Sequence, residues 1–153
     1  MKDKKTETYI YRGLGFPVKL VNAPFRKVIG EWVLDVNFNK LQMAVLHALL
    51  YKPAPLTGDE LKFIRKFLKL STTQFGKIFG VSHVAVLKWE NSKTQANLST
   101  DACIRLYVTD HLKIKDKEFR HLYHIVSPEN LAQNKKESTR PISVDLLDEL
   151  KSA

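Results

Sequence analysis

The chain has 153 residues, 44% hydrophobic and 27% charged, which suits one modest folded domain with an appendage and excludes a disordered polymer. A formal charge of +9 fits an anionic partner, nucleic acid being the commonest, and equally fits an ordinary basic protein. One cysteine, Cys103, excludes an internal disulfide and any multi-cysteine zinc centre.

The chain opens on a charged, frayed stretch, Met1 to Thr8, without the apolar core of a signal peptide. No later apolar run reaches the length of a membrane span, so the expected location is a reducing cytoplasm. Next, "YIYRG", "FPVKLV" and "KVIGEWVLDV" are rich in β-branched and aromatic residues, split by Gly and Pro. They predict two or three short strands in a small sheet. In the last of them Val28, Gly30, Trp32, Leu34 and Val36 alternate with Ile29, Glu31, Val33 and Asp35, as in one continuous strand. "NKLQMAVLHALLYKP" predicts a helix stopped by Pro53, apolar almost all round and therefore buried.

In "LTGDELKFIRKFLKL", Thr57 and Glu60 have capping-box spacing. Leu61, Ile64, Phe67 and Leu68 form an apolar stripe, and Lys62, Arg65, Lys66 and Lys69 a basic solvated face. Short helices follow near 72–79, 82–91, 99–110 and 116–126, the last with Phe119, Leu122, Tyr123 and Val126 on one face. Cys103, in the helical "DACIRLYV", reads as a buried structural thiol. "SPENLAQNKKESTRP" is a polar linker without periodicity, and "ISVDLLDELKS" closes the chain as a short acidic amphipathic segment. The expected layout is a small β-rich region over 1–38, a connecting helix over 39–56, a helical domain over 57–126, and a linker with closing segment over 127–153. The basic excess lies early. Residues 1–56 carry 9 Lys and Arg against 4 Asp and Glu, 57–112 carry 8 against 5, and 113–153 carry 8 against 7.

The stretch "FGKIFGVSHVAVLKWE", Phe75 to Glu90, has the spacing of a helix-turn-helix. Two steeply crossing helices need a very small residue where they meet, and Gly76 is there. The turn needs tolerance of positive φ, which Gly80 supplies. Val81 plugs the turn, Ser82 caps the second helix, and Val86 and Trp89 face inward. Ser82, His83, Val84, Leu87 and Lys88 are left on the outward N-terminal part, the part that enters the major groove in such folds.

From Leu56 through Asn91, and to about Val126 with the following helices, the chain resembles the Xre-type family, the repressor-like helix-turn-helix DNA-binding domain. "GVSHVAVLKWE" matches that family's turn and recognition helix almost position for position. With the strands read from the N-terminal residues, the chain is expected to be α+β, mainly α with a small N-terminal β region, and the resemblance implies that its helical part is a repressor-like five-helix domain. The upstream part is similar to antitoxin regulators of the MqsA type, which join an N-terminal zinc domain to this module and dimerise on palindromic operators. The zinc cysteines are absent here, so no metal role carries over.

Two departures matter. Where the family often has Gln at the start of its second helix, this chain has Thr72. The outward face offers only His83 and Lys88 beside Val84, Ala85 and Leu87. Apolar side chains can read thymine methyls, and Lys88 can reach phosphate or guanine. Few bidentate contacts are then available, so the expected specificity is modest or depends on DNA shape and dimer spacing.

Other signals are weaker. "GLGF", Gly13 to Phe16, reads as a turn entering a strand, and His121 with His124 as a surface pair lacking a third ligand. Glu60 is a cap and Asp35 a solvent-facing strand residue. No phosphate loop, nucleophile elbow or nuclease carboxylate cluster appears, so neither enzyme activity nor a cofactor is expected. The expected function is a DNA-binding transcriptional repressor acting as a homodimer on double-stranded, palindromic operator DNA. Ser82, His83, Val84, Leu87 and Lys88 would line the groove, Thr72 and Thr73 would touch phosphate, and Lys77 and Lys93 would add charge at the rim. The alternative is an antitoxin-like interaction module whose N-terminal region binds and neutralises a toxin.

Overall fold

The computed structural model describes residues 3–113 and 116–147, less the side chains of Asp116 and Phe119. The expectation for Phe119 and the last part of the closing segment lie outside these. The order is β1 (Lys4–Tyr11), β2 (Val18–Val28), β3 (Glu31–Leu34), α1 (Phe38–Leu50), α2 (Gly58–Phe67), α3 (Thr72–Phe79), α4 (His83–Glu90), α5 (Leu98–His111), α6 (Asp116–Val126), α7 (Pro128–Gln133), a single 3-10 turn (Lys135–Glu137) and β4 (Ile142–Asp145). The fold class is α+β. The chain divides into two compact units, Met1–Ala48 with Pro141–Ala153, and Leu49–Arg140.

The first unit is built on β2. β1 pairs antiparallel along its length, from Lys4 opposite Arg26 to Tyr11 opposite Val18, with a bulge between Glu7 and Tyr9, so the opening stretch expected to fray is paired strand from Lys4 onward. Gly13 to Phe16 make the connecting turn. β3 pairs antiparallel with β2 from Phe25 opposite Leu34 to Val28 opposite Glu31. The single strand expected across Val28 to Val36 is therefore a hairpin. Ile29 and Gly30 take φ of 48° and 78°, the sense of twist that a two-residue hairpin turn requires, and the chain reverses there. The alternation of apolar residues continues through the reversal, which hides it from a periodicity reading.

The acidic closing segment also differs from expectation. Its first part, "ISVD", is β4, parallel to β2 from Val18 opposite Ile142 to Val21 opposite Asp145. Ile142 and Val144 are buried while Ser143 is exposed, so the period-2 pattern of a half-buried strand was present in four residues. Val18, Leu20, Ala23 and Phe25 supply the matching buried face of β2. Helix α1 buries Leu41, Ala44, Val45, Leu46, Leu49 and Leu50 but leaves Phe38 and Met43 half exposed, so it is not buried all round.

The second unit is helical, and its caps can be read directly. Thr57 and Glu60 make the expected capping box at the start of α2. Ser71 and Gln74 make a second at α3, and Ser82 and Asn97 cap α4 and α5 through Ala85 N and Thr100 N. The segment after α6 is not a structureless linker. Ser127 caps α7, Pro128 occupies its first turn where a missing N–H costs nothing, and Leu131 is fully buried. α5 buries Asp101, Ala102, Ile104, Arg105, Val108 and Thr109, which turns Cys103 outward; the thiol is exposed, not buried.

Polar groups anchor this core. Arg105, with no exposed surface, donates to Asp101 at 2.7 Å and to the carbonyls of Lys52 and Ala54, the latter at 2.7 Å. Burial pulls its guanidinium below the usual arginine range, against the opposing pull of Asp101. Asp101 also accepts from the Leu56 amide at 2.8 Å. Lys52, likewise buried, donates to Glu60 at 2.7 Å and to the Ser138 carbonyl. Among the described residues, no helix is long and apolar enough to cross a membrane.

Candidate nucleic-acid interface

The α3–turn–α4 segment is set by a steric fact. A Cβ added at Gly76 would lie 2.6 Å from the Val81 carbonyl oxygen, so only glycine lets α3 approach the turn this closely. The Val81 amide donates to the Gly76 carbonyl at 2.9 Å, closing the end of α3. Gly80 holds φ 70° and ψ 30°, the left-handed C-cap that L side chains disfavour. Val81 is half-buried, and the Ser82 hydroxyl accepts from the Ala85 amide at 3.1 Å to start α4.

The inner face of α4 is fixed at several points. Val86 and Trp89 are buried, as the spacing requires. Glu90, also inward, accepts from Arg65 twice, at 2.6 Å from Nε and 2.9 Å from Nη2. Arg65 Nη1 donates in addition to the Leu70 carbonyl at 3.0 Å. Arg65 thus leaves the solvated basic face on which its spacing had put it. The Glu90 hydrogen bond raises its guanidinium above the usual range, outweighing the opposite effect of burial. The residue bracing the far end is Gly58. A Cβ there would lie 2.2 Å from the Trp89 carbonyl oxygen and 3.0 Å from that of Glu90, so α2 begins directly against the end of α4. On the other side, Phe79 of α3 meets Phe75 at 4.9 Å and Tyr107 of α5 at 5.6 Å, both edge-on.

What remains outward on α4 is a stripe of four residues, His83, Val84, Leu87 and Lys88, all exposed, with Val84 at 47% and Leu87 at 42%. Positions 83, 84, 87 and 88 recur at helical spacing, so they share one face. Ser82 is exposed, and its hydroxyl oxygen accepts the cap bond, which leaves the O–H to donate. On α3, Thr73 and Lys77 are exposed one turn apart, while Thr72 is half-buried. Lys93, in the turn after α4, is exposed. From Phe75 to Lys93 the chain carries three exposed lysines, Lys77, Lys88 and Lys93, against one carboxylate, the buried Glu90, which Arg65 already engages. The stripe can donate hydrogen bonds and cover methyl-sized apolar surface, and it carries no negative charge to repel an anion.

The sequence reading missed the Arg65–Glu90 pair and the Ser71–Gln74 box. Both had signals. Glu90 lies four residues after inward Val86, so a carboxylate on the inner face required a cation, and "STTQ" has capping-box spacing. His121 and His124 are exposed; His121 stacks loosely on Tyr51 at 6.0 Å between centroids, and His124 adjoins Tyr123.

No protein-family model matches the chain, and no solved structure matches it. Over 42 residues it is 43% identical to "Repressor protein C2" of Salmonella phage P22. The match covers 28% of this chain, which thus spans about a fifth of the repressor's length, 19%.

Proposed function

We propose that this chain is a DNA-binding transcriptional regulator that places α4 in the major groove and represses by occupancy as a homodimer. The observation that carries the reading is the division of α4 into two faces. Val86, Trp89 and Glu90 hold it rigidly against α2 and the core, while His83, Val84, Leu87 and Lys88 stand free at its outward side. A helix fixed within and open without is what groove insertion requires. The partial likeness to a phage repressor supports the same reading.

In this reading Lys88, Lys77 and Lys93 neutralise phosphates, and Thr73 and Ser82 sit at hydrogen-bonding distance from the backbone. Thr72, being half-buried, contributes less than Thr73. His83 supplies the polar base contact and Val84 and Leu87 the apolar ones. Two copies reading half-sites about one helical turn apart suit a palindromic operator. The protein works in the cytoplasm, without catalysis and without a cofactor.

The test is selection of genomic fragments with the purified chain across a salt series, followed by footprinting. Affinity should fall steeply with salt through counterion release, and the footprint should span two half-sites. Absence of binding to every fragment at low salt would sink the proposal.

A second reading has an observation of its own. The first unit exposes Tyr9 at 39%, Ile10 at 41%, Trp32 at 38% and Val33 at 43%. Tyr9 meets Phe25 edge-on and Lys5 lies over both Phe25 and Trp32, so Tyr9 and Trp32 share one sheet face. Exposed aromatic surface there suits a protein partner, as in the antitoxin-like alternative in which this region binds a toxin. Co-purification of a small partner whose binding is lost on Trp32→Ala, with α4 intact, would favour it; a chain that purifies alone and binds DNA would not.

A further inference from the structure

A cavity of about 270 Å³ opens in the second unit beside the C-terminal end of α4. Its buried lining is apolar, with Leu56, Leu61 and Trp89 at 3%, 3% and 8% exposure. Its exposed lining includes Lys93, Gln95 and Thr139. Among the described residues, none of these three side chains has a hydrogen-bond or ionic partner within the chain. Among the described residues no carboxylate lines the cavity, and the Lys93 ammonium is the only formal charge there. Of the other polar lining groups, Ser138 Oγ donates to the Pro55 carbonyl at 2.8 Å and the Thr57 hydroxyl accepts the α2 cap bond, while Ser92 and Thr94 add two further hydroxyls to the rim.

Apolar depth below unengaged donors and a single cation is complementary to one class of ligand, a small body of aromatic carbon carrying one anionic head. We propose that this cavity binds a small aromatic carboxylate, its ring on Trp89 and Leu61 and its carboxylate at Lys93. A carboxylate held by Lys93 takes that ammonium from a DNA phosphate. Ligand and DNA then compete for Lys93; this second half rests on the function proposed above, the first does not.

The probe is 2-naphthoate, added to the full chain without DNA. The protein has two tryptophans, so Trp32→Phe leaves Trp89 as the sole indole reporter. Saturable quenching of Trp89, matched by calorimetry on the unaltered chain, is expected. Lys93→Ala should weaken binding roughly tenfold, as should the uncharged 2-naphthamide, through loss of one charge-assisted contact. Lys77→Ala, away from the cavity, should leave it unchanged. Ala96→Phe, at another lining position, should abolish it by filling the space, provided its circular dichroism is native. No saturable binding, or equal binding by Lys93→Ala, overturns the site. With DNA, 2-naphthoate should lower affinity and reduce the salt slope by about one. Binding of naphthoate with no change in DNA affinity overturns the competition. A chain that binds naphthoate but no DNA leaves the site standing and fails the proposed function instead.

Discussion

Arg65 holds Glu90 through two parallel hydrogen bonds, 2.6 and 2.9 Å, across 25 positions of sequence. The Glu90 side chain is 4% exposed and that of Arg65 12%, so the pair joins α2 to the last turn of α4 largely away from water. A third Arg65 bond reaches the Leu70 carbonyl, ahead of α3. One side chain thereby ties the first helix of the domain to both arms of the helix-turn-helix.

Removing one member should cost more than removing both. Arg65→Met leaves Glu90 buried and unpaired, and should destabilise by about 3 kcal/mol, the range found when a buried pair loses one partner. The double variant Arg65→Met with Glu90→Gln should recover part of that loss, because no uncompensated charge stays inside. Urea denaturation of the four proteins forms the cycle. Additive losses would show that the two groups are not coupled.

The two glycines of the turn should fail in different ways. Gly80→Ala places a methyl in open space but at φ 70°, a conformational cost of about 1 kcal/mol. Gly76→Ala drives a Cβ to 2.6 Å from a backbone oxygen, so α3 and α4 must move apart. Its destabilisation should exceed that of Gly80→Ala, and by disturbing α4 it should weaken DNA binding even where the protein remains folded. Thermal melts and gel shifts on both variants decide it; a Gly76→Ala protein with normal stability would mean that the approach is not tight.

Arg105 is among the largest fully buried side chains of the described residues and is the clamp of the segment before α2, through the carbonyls of Lys52 and Ala54. Arg105→Leu should lose about 3 to 5 kcal/mol, because Asp101 and these acceptors lose their donor together. Asp101→Asn should lose less, since its amide oxygen can still accept. Chemical denaturation gives the order, and the reverse order would contradict the clamp.

Local chemistry made the helical unit legible, and long-range pairing hid the rest. Thr57, Gly76, Gly80 and Ser82 each act within a few residues of their partners, and the inward places of Val86 and Trp89 follow from helical period, so spacing sufficed. β4 pairs with β2 more than a hundred residues away, and four residues give too weak a pattern to announce that. The β2–β3 reversal at Ile29 and Gly30 lacked the Asn-Gly or Asp-Gly signature of such turns. At the site, the exposed stripe followed from helical period alone. Arg65 did not, because an arginine on a basic stripe reads as solvated unless its distant carboxylate is known.

The stripe itself makes the sharpest demand. Of its four residues only His83 and Lys88 are polar, while Val84 and Leu87 stand half exposed in a surface otherwise able to hydrogen-bond. In a major groove the apolar partner that matches them is the thymine 5-methyl group. Replacing thymine by deoxyuridine at single positions of a selected operator removes that methyl and leaves every hydrogen bond in place. One or two positions per half-site should then lose about 1 kcal/mol each, in keeping with burial of one methyl-sized group. Val84→Ala should abolish the penalty at one of them, and Lys88→Ala should weaken every sequence alike. If deoxyuridine is tolerated at all positions while binding stays selective, His83 and DNA shape carry the specificity and the apolar pair does not read bases.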